Sequence, residues 1–340
     1  MSQPSSYRTT TVPVRGGEIA VGVWGPDDAP TILAIHGITA SHRSWALLAE
    51  AAPELRIIAP DLRGRGRSNR LPGPWGMPTH TADMVAVLDA FGVQRCVVLG
   101  HSMGAFVAAT MGMRHPATVA ELVLVDGGLP LPLPQGIEPE GLLRALIGPA
   151  AERLAMRFAS REVYREFWRK HPAFANDWSA AVEDYADYDL DDYDLDDYDP
   201  DDCDPDGEAP GFKPASVYAA VAEDSLQLSG DTGYLDALVK LSMPVHFLRA
   251  ERGILNEPTP LYSTSTVEEW DTRISSLTPH DVSDVNHYTI VMSARGAAEV
   301  SGYVRSAIER TVGATSALAA LAKAAASTKA ATGTRTATGT

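Results

Sequence analysis

Four short apolar runs, Thr31–Ile35, Arg56–Ala59, Cys96–Leu99 and Leu122–Val125, alternate with helical patterns in the first 125 residues. Runs this short and this largely apolar suit parallel strands covered on both faces, because a strand with one wet face alternates instead. Thr79–Phe91 places Ala82, Val85, Ala86, Leu88 and Ala90 along a helix that Gly92 stops, and Met103–Arg114 runs as a second helix up to Pro116. Tyr7–Val14 and Glu18–Trp24 precede them as further strands. This alternation predicts an α/β fold: a mostly parallel, doubly wound sheet flanked by helices, with ligands at the carboxyl ends of its strands.

After Asp126 the character changes. A Gly/Pro/Leu-rich connection, Gly127–Pro139, leads into amphipathic helical patterns over Glu140–Lys170, Ser216–Leu228 and Tyr234–Val239, before Pro244 introduces another strand at Val245–Leu248. Val282–Val285 is expected as the last strand and Ile290–Thr311 as the closing helix. The predicted organisation is a sheet domain of residues 1–129 and 241–312, a helical cap of 130–240, and a disordered Ala/Thr-rich tail of 313–340.

The 340 residues carry a formal net charge of −16, and that charge is local. Sixteen carboxylates lie between Asp177 and Glu208, with no Lys or Arg between Lys170 and Lys213; the rest of the chain balances at 28 acidic and 28 basic residues. A degenerate five-residue repeat (ADYDL, DDYDL, DDYDP, DDCDP) fills Ala186–Pro205 of this insert, which spans about 183–208. Like charges in a block repel, so it is expected to be an expanded, solvated loop. Asp202, Asp204, Asp206 and Gly207 match four positions of a calcium-binding loop, but Lys213 stands where the bidentate Glu belongs and the match fails. Two cysteines give neither a disulfide framework nor metal-ligand spacing, and there is no basic nucleic-acid footprint. The N-terminus lacks a signal-peptide core, and no apolar run approaches the roughly 20 residues that span a bilayer. A soluble, cytoplasmic protein is expected.

Chemistry concentrates at Gly100-His101-Ser102-Met103-Gly104, between the run Cys96–Leu99 and the helix that follows. A serine on a sharp strand-to-helix turn exposes its hydroxyl, and the amides of the helix start face an incoming carbonyl oxygen. His36-Gly37 ends one strand and opens a loop where the Ile38 amide is a second candidate donor. Asp61–Ser68 (DLRGRGRS) is a Gly-rich turn after another strand and reads as tight loop geometry, since it fits no phosphate-cradle pattern. His287 follows the last expected strand in DVNHY.

On these motifs the chain resembles the α/β-hydrolase superfamily, in its capped branch with a serine nucleophile, over roughly Tyr7 to Thr311. The resemblance implies Ser102 as nucleophile, His287 as base and the Met103 and Ile38 amides as oxyanion hole. His280 is the one rival base, and it precedes the last strand. The acid departs from the commonest family pattern, because Gly253 stands where an aspartate is usual. Two candidates are left: Asp126, at the end of the strand after the nucleophile helix, and Glu251.

The expected activity is cleavage of a small, largely apolar carboxylic ester or lactone through an acyl-enzyme. A carbon–carbon bond hydrolase with the same triad and a noncatalytic ligand-binding protein on this fold are the alternatives. Trp45, Trp75, Trp168 and Trp178 are candidates to line an apolar pocket beneath the cap. No metal or organic cofactor, nucleic acid or membrane is expected as partner, only a small-molecule substrate; the sequence sets no oligomeric state.

Overall fold

The computed structural model describes residues 6–131, 149–192 and 211–333. Its strands are β1 (Arg8–Val14), β2 (Gly17–Trp24), β3 (Thr31–Ile35), β4 (Arg56–Pro60), β5 (Cys96–His101), β6 (Val119–Val125), β7 (Leu190–Asp192), β8 (Phe212–Pro214), β9 (Val245–Arg252) and β10 (Leu277–Asn286). Eight form one sheet in the order β1-β2-β4-β3-β5-β6-β9-β10. The hairpin β1–β2 joins β4 antiparallel, and every pairing from β4 to β10 is parallel. The predicted doubly wound α/β sheet is therefore present, with an antiparallel edge.

The apolar runs work as the sequence implies. Every residue of β5 and β6 is buried, and alternate side chains enter opposite layers: Val98, Leu122 and Leu124 one, Val97, Leu99, Val123 and Val125 the other. Helices Met77–Ala90 and Met103–Arg114 cover the first layer. The last helix, Ala294–Gly333, covers the second with Val300, Val304, Ala307 and Ile308. It carries helical backbone to Gly333, where the sequence predicts a disordered tail. Alanine is the best helix former and no proline intervenes, so local propensity outweighs the single Gly313 and explains the difference. The order of pairing reverses around β3, which has β4 on one side and β5 on the other. Ligand crevices open at the carboxyl ends of strands beside such a reversal, here at Gly37 and Ser102.

Between β6 and β9 the described residues hold helices Pro149–Ala155, Arg161–Arg169, Ala180–Tyr188, Tyr218–Ser225 and Thr232–Leu238, plus the small β7–β8 hairpin. The solvated-loop expectation for 183–208 is corrected at its start. Ser179 caps the helix Ala180–Tyr188 by accepting from the Val182 amide, and Val182, Tyr185 and Ala186 are buried at helical spacing. Cations from elsewhere in the chain neutralise the acids: Arg43 pairs with Asp184, Arg165 with Asp187 and Arg153 with Asp189. Residues 193–208, with the aspartates Asp202, Asp204 and Asp206, lie outside the described residues. Among the described residues no helix is long and apolar enough to cross a membrane.

Candidate active site

β5 ends in the elbow. Ser102 has φ 54° and ψ −124°, a left-handed conformation that a non-glycine residue adopts only under constraint, at about 1–3 kcal/mol. Its amide donates to the Val125 carbonyl (2.9 Å), and its own carbonyl accepts from Ala105 at the helix start (3.0 Å). The two flanking glycines are required by contact. A Cβ on Gly104 would overlap the carbonyl oxygens of Ile35 and His36, and one on Gly100 would strike the Gly104 carbonyl. The helix thus packs against β3 close enough to bring Gly37 beside Ser102.

His287 follows β10 and Asp126 follows β6. The His287 Nδ1–H donates to Asp126 Oδ2 at 2.7 Å, and Asp126 Oδ1 accepts from the Ala250 amide at 3.2 Å. Asp126 is completely buried and has φ 45°, so its strand end is bent to present the carboxylate. With Nδ1–H held this way, Nε2 of His287 carries the lone pair that a base needs. Of the two acid candidates, the structure brings Asp126 to the histidine. Glu251 is exposed and accepts from the Asp284 amide instead. At the position where an aspartate is usual, the Gly253 carbonyl accepts from the His287 amide at 3.5 Å. His280, the rival base, lies on β10 against His246 (3.1 Å) and the Tyr303 ring, outside this cluster.

Ser102 and His287 line one cavity of about 60 Å³, together with Gly37, Ile38 and His101. Met103 is the first helical residue, so its amide has no intrahelical acceptor, while its side chain is buried in the core. None of the four tryptophans lines this cavity: Trp45 and Trp168 pack in the core layer behind it. Its aromatic wall is made by Tyr185 and Tyr288, and its aliphatic wall by Leu131, Leu228, Ile254 and Leu261.

The sequence profile of the alpha/beta hydrolase fold family matches residues 30–207, just over half the chain. The chain belongs to that family. Among curated proteins it is similar to Lipase LipV of Mycobacterium tuberculosis, 40% identical over 114 residues, which is 34% of this chain and 43% of the lipase. It also matches the bifunctional esterase/perhydrolase DCH of Acinetobacter calcoaceticus, 35% identical over 130 residues, 37% of this chain and 47% of that protein. The matches thus span under half the length of these relatives. Among solved structures, a thioesterase domain from the curacin biosynthetic pathway superposes with a TM-score of 0.66 at 19% identity, covering 88% of this chain and 99% of that one. E-2-(acetamidomethylene)succinate hydrolase gives 0.66 at 20% identity, covering 86% and 97%. At such identities these two likenesses concern the fold alone.

Within this alpha/beta hydrolase, a layer of buried polar residues holds the cavity. His36 Nδ1–H donates to the Gly37 carbonyl and Nε2 accepts from the Leu62 amide, both at 2.8 Å. Burial lowers its pKa to about 4, so the ring is neutral in the tautomer those bonds require. Arg65, from the turn expected to be only tight geometry, reaches the loop beside Ser102 and donates Nε–H to the Ile38 carbonyl at 2.8 Å. Its Nη1 pairs at 2.6 Å with Asp224 of the helix Tyr218–Ser225, which also accepts from His80 Nε2 (3.0 Å) and the Gly76 amide (2.6 Å). Asp61 opens the same turn and accepts from His42 Nδ1, the His42 amide and the Tyr188 hydroxyl at 2.7–2.8 Å. Burial alone would raise its pKa; the His42 charge and hydrogen bonds outweigh it and hold the carboxyl well below the usual range. His101 Nε2–H donates to the His287 carbonyl at 2.7 Å, and burial, together with the neighbouring His287 ring, keeps it neutral. The signal in the sequence was a turn carrying three arginines and an aspartate, more charge than a solvent loop needs beside an apolar strand.

Proposed function

We propose that the chain is a serine hydrolase that cleaves a small, largely apolar carboxylic ester or lactone through an acyl-enzyme. One observation carries this reading: His287, hydrogen-bonded to the buried Asp126, lines the same cavity as the elbow residue Ser102. His287 Nε2 takes the Ser102 proton as the oxygen attacks the scissile carbonyl, and the negative oxygen that forms is held by the Met103 and Ile38 amides. The imidazolium then returns the proton to the departing alkoxide, leaving Ser102 acylated. Water attacks the acyl carbon while the same nitrogen removes its proton, and collapse releases the acid and restores Ser102. Every step uses groups of the chain and water.

Removing either oxyanion donor is worth about 3 kcal/mol of barrier in comparable sites. The test is p-nitrophenyl butanoate hydrolysis by the native protein and by Ser102→Ala. A fall of roughly 10⁴-fold or more in kcat supports the reading; equal rates reject it and favour a noncatalytic binding role.

A further inference from the structure

The tyrosines of the cavity differ from the rest of its wall. Tyr185 comes from the helix Ala180–Tyr188, and Tyr288 directly follows His287. Their rings are fixed edge-on against Trp168, with centroids at 6.0 and 6.1 Å, and Tyr185 is 1% exposed. Among the described residues neither phenol oxygen has a hydrogen-bond partner, and neither is sealed in protein, so both reach the cavity. Buried polar groups are normally satisfied, and a hydroxyl that faces a cavity is satisfied by whatever fills it.

Arg153 determines what kind of group that is. It is 1% exposed and donates to the Tyr164 hydroxyl, to Asp189 and, at 3.4 Å, to the Thr39 carbonyl at the cavity edge. Its charge acts on both Tyr185 and Tyr288, and so does that of Asp189. Because Asp189 neutralises Arg153, the described residues of the wall offer no free cation to a carboxylate. Burial holds both phenols protonated, as donors. Beyond Ser102, His287, His101 and the small hydroxyls of Thr39 and Ser44, the remaining described lining is apolar, and about 60 Å³ suits a short group.

We propose that Tyr185 and Tyr288 form a hydrogen-bonding subsite for a second, uncharged oxygen of the substrate. The preferred ester or lactone is then short and carries a keto, ether or amide oxygen beyond the scissile carbonyl. This rests on the serine-hydrolase reading above and specifies its substrate class.

The test compares p-nitrophenyl esters in pairs of equal shape: methoxyacetate with butanoate, and 4-oxopentanoate with 4-methylpentanoate. Taking the ratio of native to variant kcat/KM for each ester cancels its intrinsic reactivity. Tyr288→Phe and Tyr185→Phe each remove one oxygen and leave the ring, so either variant carries the test. The expected result is a loss of roughly fivefold or more for the oxygenated member of at least one pair, with its carbon partner within about twofold. Equal losses for both members, or none, overturn the subsite. A loss confined to the charged mono-p-nitrophenyl succinate overturns the uncharged acceptor. If native butanoate hydrolysis survives Ser102→Ala, the serine reading itself has failed, a result distinct from Ser102-dependent turnover without discrimination.

Discussion

Both oxygens of Asp126 are committed, one to His287 Nδ1 and the other to the Ala250 amide. Asp126→Asn keeps the shape but lets an amide N–H face the ring, which favours the wrong tautomer, so kcat should fall roughly 10⁴-fold. Glu251→Gln, exposed near the end of the neighbouring strand β9, should leave ester turnover unchanged, and steady-state kinetics of the two variants checks both. Ser102 and His287 were legible because local context marks them: an elbow between strand and helix, and a histidine after the last strand. The choice between Asp126 and Glu251 was not, because it depends on register. β6 pairs with β9 so that Val125 faces Leu248, and that long-range pairing places the Asp126 carboxylate by Ala250 and His287. His36 gives a prediction in pH. Its pKa is about 4 when folded and 6.5 when free, so between those values the unfolded chain binds the extra proton. Stability is thus fully present above about pH 6.5 and falls on acidification toward 4, by on the order of 3 kcal/mol from this residue. His36→Gln should flatten that fall in thermal melts at stepped pH. His171, held near 4 by burial and by the Arg153 charge, keeps part of it.

Elements between β6 and β9 are fastened to the sheet domain's loops by buried ions. Asp224 ends the helix Tyr218–Ser225 against Arg65, His80 and the Gly76 amide, at a site with no exposure. Asp224→Ala leaves the Arg65 guanidinium buried and unpaired, which should cost about 3–5 kcal/mol in urea unfolding. Because Arg65 also holds the Ile38 carbonyl, the variant should lose turnover as well. Such contacts are invisible to periodicity: Arg65 and Asp224 are distant in sequence, and each looks like an ordinary surface charge. The same blindness explains the helix Ala180–Tyr188. The acidic composition of the insert masked a buried stripe of Val182, Tyr185 and Ala186, whose neutralising arginines lie outside it. The strands, by contrast, were legible because largely apolar runs have few other places to go.

The net charge of the whole molecule now divides differently. Asp187 and Asp189 belong to the packed helical segment between β6 and β9, through Arg165 and Arg153. Residues 193–210 carry nine carboxylates and no basic group, so replacing them with a short Gly/Ser turn takes the net charge from −16 to −7. The ends of that stretch are paired in the β7–β8 hairpin, Asp192 opposite Phe212, so a short turn can close it. Turnover of a neutral ester should stay within a few-fold of native, whereas a near-complete loss would make the segment part of the site. At this scale the account depends on one hydroxyl. Labelling with a fluorophosphonate, followed by intact-protein and peptide mass spectrometry, reads it directly. The account predicts one label per chain, on Ser102, and none in Ser102→Ala or at comparable rates in Asp126→Asn; labelling of Ser102→Ala as fast as the native protein would contradict it.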